Sequence, residues 1–220
     1  MSSASLQTLQ LCVGDLQENC YLLWKTGAAP AIVFDPGDEA ERIRAELVAR
    51  KLEPAAFVLT HCHGDHIGGL HGLKAAYPQV PLYVPEAEAD WLGKPMKNLS
   101  YFVGGKVTAP PADVLVRDCD ILRLGGFELG SIHVPGHSPG GTAYFVADKS
   151  GPPHLFDGDI LFQNSIGRTD FPGSSGHEVL IEGIQSKLFI LPDETIVHPG
   201  HGPETTIGAE KRGNPFCGLR

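Results

Sequence analysis

The sequence predicts a mixed α/β (α+β) protein in which two sheets lie face to face between layers of helix, a four-layer αββα sandwich. Two observations carry that expectation. Each half of the chain holds a run of short strand-like segments followed by segments with helical spacing, which gives two sheets, each with its own helical cover. A chain of 220 residues with 42% apolar residues also has ample material for the cores that such layers need, and it stays within the size of one large domain, residues 1–220.

Taken in order, Leu6 to Val13, Cys20 to Lys25 and Ala31 to Phe34 read as strands of an antiparallel meander, set apart by Gly, Asp, Asn and Pro. Glu39 to Lys51 places Ile43, Leu47 and Val48 among charges and reads as an amphipathic helix. It delivers the chain to the buried strand Ala56-Phe57-Val58-Leu59, after which a second helix is expected from His66 to Tyr77. Val80 to Val84 is a strand, Glu86 to Leu92 a short helix, and Pro95 to Pro111 a Gly- and Pro-rich loop long enough to act as a lid. Short strands then recur at Val114 to Arg117, Ile121 to Leu124, Phe127 to Val134, Thr142 to Ala147 and His154 to Phe156. Helix returns over Glu178 to Phe189, and Thr195 to His198 is the last strand.

Charge and composition exclude several function classes. A formal charge of −9 argues against a general nucleic-acid or anionic-membrane surface. No basic segment followed by an apolar core opens the chain, and no window approaches the roughly 20 apolar residues of a membrane span. Cys12, Cys20, Cys62, Cys119 and Cys217 are odd in number and form no CxxC pair, which fits reduced thiols and a cytoplasmic setting.

Chemistry concentrates in Thr60-His61-Cys62-His63-Gly64-Asp65-His66, where four potential metal ligands fall within six residues. Imidazole and carboxylate suit zinc, iron or manganese, whereas a structural zinc site leans on thiolates. Alternate side chains share a face in an extended segment, so His61 and His63 can converge on one ion. Gly64 lets the backbone bend and send Asp65 and His66 towards a second. Cys62, on the opposite side, reads as a small buried residue, with a redox role as the alternative. Asp35, in Asp35-Pro36-Gly37, either forms a turn or supports the metals from behind. Three more candidates sit at strand ends beside glycine: His137 in Pro135-Gly136-His137-Ser138-Pro139-Gly140-Gly141, Asp159 in Asp157-Gly158-Asp159, and His201 in Pro199-Gly200-His201-Gly202. His71, His133, His154, His177 and His198 lie outside these motifs and read as packing or surface residues.

From Phe34-Asp35-Pro36-Gly37 through the His61–His66 cluster, Gly136-His137 and Gly158-Asp159 to Gly200-His201, the motifs resemble the metallo-β-lactamase superfamily, and within it the small glyoxalase II-like hydrolases. The resemblance implies the metallo-β-lactamase fold. It implies that His61, His63 and His137 bind one divalent ion, that Asp65, His66 and His201 bind another, and that Asp159 bridges them. Zinc is the expected metal, with iron or manganese as alternatives. Two such ions about 3.5–4 Å apart hold a water whose pKa falls to roughly 7, so a bridging hydroxide can attack a carbonyl without a serine or cysteine nucleophile. Asp65 and Asp159 are then the catalytic carboxylates, Asp159 orienting the nucleophile and Asp65 accepting its hydrogen bond.

The expected substrate is a small-molecule thioester, above all S-lactoylglutathione or another S-acylglutathione, with no nucleic-acid or membrane partner. Arg168, in Asn164-Ser165-Ile166-Gly167-Arg168-Thr169-Asp170-Phe171, either pairs with a substrate carboxylate or with Asp170. The same run resembles persulfide dioxygenases, which implies the alternative of a mononuclear iron enzyme acting on glutathione persulfide through His61, His137 and Asp159. The segment from Pro199 to Phe216 resembles the small hydrolases instead. β-Lactam or lactone hydrolysis and a zinc-binding module without turnover are further readings. Full glyoxalase II enzymes hold glutathione with a C-terminal helical domain, whereas 19 residues follow His201 here, a tail that covers the site edge, meets another subunit or frays.

Overall fold

A computed structural model describes residues 5–148 and 151–219; the outer ends of the expected 1–220 domain lie outside the described residues. Three strands open the chain, β1 (Leu6–Val13), β2 (Glu18–Lys25) and β3 (Pro30–Phe34), and they pair antiparallel as a meander. Helix α1 (Ala40–Ala49) crosses over to β4 (Glu53–Val58), which lies parallel to β3 with Phe34 opposite Val58. After α2 (Gly64–Ile67) and α3 (Leu70–Ala76), β5 (Leu82–Pro85) and β6 (Val114–Val116) complete a six-stranded sheet in the order β1-β2-β3-β4-β5-β6.

The second half repeats the plan. β7 (Ile121–Leu124), β8 (Phe127–His133), β9 (Thr142–Val146) and β10 (His154–Gly158) run antiparallel, and β13 (Ile196–Pro199) joins β10 in parallel. Between β10 and β13 come a small hairpin, β11 (Leu161–Phe162) and β12 (Ser165–Ile166), and helix α4 (His177–Gly183), which runs into a π-helical turn at Ile184–Leu188. β14 (Thr205–Thr206) closes the edge of the second six-stranded sheet, and α5 (Ile207–Gly213) follows.

Three cores separate four layers. Ile43 and Leu47 of α1 and Leu70 and Leu73 of α3 cover the first sheet through Leu22, Val33 and Phe57. Between the sheets pack Tyr21, Phe34, Val58, Leu129, Tyr144 and Phe156. Leu180 of α4, Ile184 and Leu188 of the π turn and Ile207 of α5 cover the second sheet through Leu155 and Val197. Fully burying each such side chain contributes about 1.5–3 kcal/mol. This is the αββα sandwich that the alternation of strand and helix predicts. No helix among the described residues is long and apolar enough to cross a membrane.

Four elements depart from expectation. The single helix expected over His66 to Tyr77 is broken at Gly68-Gly69, where the backbone presses against Gly37 and Pro36 and the Gly69 N–H donates to the Pro36 carbonyl at 2.9 Å. A helix carried straight on would forfeit that contact. β2 begins two residues earlier than predicted, at Glu18, because both polar residues at its start are buried at the site. The β11–β12 hairpin, with Asn164 in the left-handed region at φ 55°, escapes prediction altogether. The expected tail instead contains β14 and α5, whose buried Glu210 accepts hydrogen bonds from Thr205 Oγ1 and from the backbone N–H of Asn164.

Candidate metal centre

β3, β4, β9, β10 and β13 meet where the facing edges of the two sheets deliver polar loops to one place. Asp35 follows β3 and holds a left-handed φ of 41°, strained for a residue with a Cβ. Its carboxylate compensates: Oδ1 accepts the Thr60 backbone N–H at 2.7 Å and Oδ2 accepts the Thr60 hydroxyl at 2.6 Å.

That second bond fixes a tautomer two residues along the chain of contacts. The Thr60 proton is committed to Asp35, so Thr60 Oγ1 accepts from His61 Nδ1 at 3.1 Å, leaving His61 Nε2 as a bare lone pair. His137 Nδ1 donates to the Arg168 carbonyl at 2.8 Å, which leaves its Nε2 bare as well. These two atoms lie 3.0 and 2.9 Å from His63 Nδ1. Three imidazole nitrogens thus converge with at most one proton among them, an arrangement that a cation between them satisfies.

The second group is built from α2 and the loop after β13. His201 Nε2 lies 3.3 Å from Asp65 Oδ2 and 3.7 Å from Asp159 Oδ2, and His66 Nε2 lies 3.6 Å from Asp159 Oδ1. Asp159 Oδ2 is also 3.3 Å from His137 Nε2, so one carboxylate borders both groups. Behind His66, its Nδ1 faces Asp35 Oδ2 at 3.1 Å and Glu18 Oε1 at 3.8 Å. Ligand atoms of His61, His63 and His137, of Asp65, His66 and His201, and of His61, His66 and Asp159 form three sets, each within 4.8 Å. The structure therefore brings together all seven residues that the resemblance selects.

Poorly satisfied buried atoms mark the same spot. Neither nitrogen of His66, nor Asp159 Oδ1, nor either Glu18 oxygen makes a well-formed hydrogen bond, and they face one another and Asp35 only as ion pairs at 3.1–3.8 Å. Burial, followed by the charge of neighbouring imidazoles, holds His61 well below the usual histidine range and pushes His63 down to about 3. Burial likewise lowers His137. These rings are neutral, the state that metal ligation requires. Burial opposes ionisation of Asp159, but His137, His66 and His201 outweigh it and hold the carboxyl well below its usual range. Asp65 is lowered in the same way, burial being overcome by His66 and His201. His66 and His201 shift the other way: burial lowers each, but Asp35, Asp65 and Asp159 outweigh it at His66, and Asp65 and Asp159 outweigh it at His201, so in these two a bound cation would take the place of a proton. Three neutral imidazoles beside ionised carboxylates are a donor set that fits divalent cations.

The surrounding shell was less legible in sequence. Asn19 grips the His201 loop: its N–H donates to the Gly200 carbonyl at 2.8 Å, and its Nδ2 donates to the Pro199 and Gly202 carbonyls at 3.0 and 2.8 Å. Tyr21 adds a hydroxyl bond to Pro199 at 2.9 Å. The signal in the chain was the buried-strand composition of Glu18-Asn19-Cys20-Tyr21, where two polar residues open an otherwise apolar run. Phe171 sets its edge against His63 and His137 at 5.4 and 5.1 Å, Trp91 lies beside His63, and Phe162 stands against His201.

Arg168 contributes its carbonyl to His137, while its guanidinium, 73% exposed, forms two bonds to Asp170 at 2.9 and 3.1 Å. Cys62 is buried in the core beneath the first sheet. Of the remaining histidines, His71 reaches Thr108, His133 bonds the Pro139 carbonyl, and His154 and His198 join Glu204 in a chain away from the seven residues.

Comparison with known proteins agrees with this geometry. The metallo-beta-lactamase superfamily matches residues 13–201. The chain is 40% identical over 205 residues to "Probable metallo-hydrolase YqgX" of Bacillus subtilis (strain 168), covering 93% of this chain and 94% of that one. It is 37% identical over 206 residues to "Hydroxyacylglutathione hydrolase GloC" of Haemophilus influenzae, covering 91% and 92%. Among solved structures it is similar to the BLEG-1 B3 metallo-beta-lactamase, with a TM-score of 0.90 at 40% identity over 96% of this chain and 99% of that one. It is also similar to TTHA1623 in a di-iron-bound form, TM-score 0.80 at 37% identity over 94% and 99%. ETHE1 from Myxococcus xanthus superposes with a TM-score of 0.76 at 28% identity over 96% and 84%. With a family match spanning the chain from the end of β1 to His201, this protein belongs to the metallo-beta-lactamase superfamily.

Proposed function

We propose that the protein is a binuclear metal-dependent hydrolase that cleaves a thioester, with an S-acylglutathione such as S-lactoylglutathione as the substrate. The carrying observation is that two three-residue ligand groups stand complete on either side of Asp159. In this reading His61, His63 and His137 hold one divalent cation, Asp65, His66 and His201 hold the other, and Asp159 is shared. Zinc suits the nitrogen and oxygen donors, and iron or manganese fits them too; the di-iron form of TTHA1623 supports a two-ion centre. Bound cations of this kind supply Lewis acidity and lower the pKa of water to about 7.

The chain's own residues do the rest. Asp65 and Asp159, both held ionised, accept hydrogen bonds from the attacking water and orient it. Asp65 and His201 are the more open ligands, with 20% and 28% of their side chains exposed, so the thioester carbonyl approaches from that side. Phe171 stands against His63 and His137 and Phe162 against His201, so an apolar ring borders each ligand group. The five thiols are all free, in keeping with a reducing compartment, and we place the enzyme in the cytoplasm on that ground.

A substrate carboxylate competes with Asp170 for the exposed Arg168 guanidinium, whose Nε and Nη2 already bond that residue, so the gain from such a contact is small. Arg168→Ala is accordingly expected to leave metal content unchanged and to raise KM for S-lactoylglutathione by about two- to fivefold. An unchanged KM removes Arg168 from the substrate site.

Similarity to ETHE1 favours a second reading, a mononuclear iron dioxygenase acting on a persulfide through His61, His137 and Asp159. The two are separated by assaying one sample for thiol release from S-lactoylglutathione and for oxygen uptake with glutathione persulfide. Thiol release without oxygen uptake supports the hydrolase, and the reverse overturns it.

A further inference from the structure

Glu88 occupies a position that the proposed chemistry does not use. It lies on the short 3-10 helix Glu86–Trp91 that follows β5. Glu86, two residues earlier, is exposed and pairs with Arg117, whereas Glu88 is fully buried. Among the described residues no ion pair joins Glu88 to a cationic side chain. Its carboxylate is instead aimed at backbone: Oε2 accepts the Cys62 N–H at 2.6 Å and Oε1 accepts the Gly140 N–H at 2.6 Å. Both bonds are short, as expected of N–H groups facing a carboxylate.

The two amides belong to the two loops that must meet. Cys62 lies between His61 and His63, in the segment leaving the first sheet, and Gly140 lies three residues after His137, in the loop entering β9 of the second. A Cβ on Gly140 would stand 2.8–2.9 Å from Glu88 Cγ, Cδ and Oε1, so the glycine is what lets the carboxylate approach. If this space needed only filling, an apolar side chain would do so without the several kcal/mol that burying a carboxylate costs.

We infer that Glu88 is a positioning residue: it staples the His61/His63 turn to the His137 loop and so sets the affinity of the three-histidine cation site. This inference rests on the two-ion reading above. The three nitrogens converge, at 2.9 and 3.0 Å, only while those loops keep their register, and the Glu88 carboxylate bridges them directly. Loss of a group that orients a ligand typically costs 10–100-fold in metal affinity.

The test compares wild type, Glu88→Gln and Gly140→Ala by zinc titration against a competing chelator, with folding followed by circular dichroism. In Glu88→Gln the amide must turn its NH2 towards one of the two backbone N–H groups, so one staple is lost. Gly140→Ala pushes Glu88 from the other loop while keeping the carboxylate. Each is expected to weaken one of the two zinc ions by about 10–100-fold and to leave the other at wild-type affinity. Wild-type affinity for both ions in folded variants overturns the inference, as does equal weakening of both. If Glu88→Gln does not fold, Gly140→Ala decides alone by the same criteria. A wild type that binds two ions while the folded variants bind both with wild-type affinity defeats the role of Glu88 only. A wild type that binds fewer than two defeats the two-ion reading, and the inference falls with it.

Discussion

Asp159→Ala is expected to lose at least one of two metal ions and to reduce thioester turnover at least 1,000-fold, roughly the scale of losing a central electrostatic element of a site. Its carboxylate lies 3.3 Å from His137, 3.6 Å from His66 and 3.7 Å from His201, and among the described residues no other carboxylate pairs with histidines of both ligand groups. Removing it also leaves three imidazoles facing one another without the acid between them. Elemental analysis and an assay on the same sample check this. Full activity at full metal content would show that Asp159 does not bridge.

Gly200→Ala should be nearly as severe although it changes no ligand. A Cβ at Gly200 would overlap Asp159 Oδ1 and come within 2.8 Å of His66 Cε1 and 3.2 Å of the Gly158 carbonyl carbon. The backbone cannot retreat easily, since the Gly200 N–H donates to Gly158 O at 2.7 Å and its carbonyl accepts from Asn19. Overpacking of this kind costs about 1–3 kcal/mol and displaces the groups it strikes. The variant is expected to fold, to bind metal at least tenfold more weakly and to lose at least 100-fold in kcat/KM. Wild-type metal affinity would mean that the loop relaxes away from the site.

The seven central residues were legible in sequence because four of them are packed into His61–His66 and the other three sit beside glycines at strand ends. Those glycines are now accounted for by what lies next to them: Thr60 against Gly158, Asp159 and His66 against Gly200. The layered fold was legible for a similar reason, since periodicity in each segment reports which face is buried. What stayed hidden depends on contacts distant in sequence. Nothing local distinguishes buried Glu88 from exposed Glu86 in Glu86-Ala87-Glu88, and only the meeting of Cys62 and Gly140 makes the difference. Asn19 reads as turn punctuation, and Glu18 carries no signal, until the His201 loop is placed against them. Gly68-Gly69 reads as a tolerable flaw in a helix until Pro36 takes up the space. The last residues read as a tail because Glu210 looks like a surface charge, whereas its carboxylate binds Thr205, Asn164 and Asn214.

A two-ion centre shared through Asp159 sets the metal stoichiometry of the protein, and counting the ions tests it. Protein purified without chelators is analysed for zinc, iron and manganese and then titrated with zinc to saturation. About two ions per chain are expected, falling in Asp159→Ala. Saturation at one ion per chain, with Asp65 and His201 replaceable by alanine at no cost in binding, would contradict it.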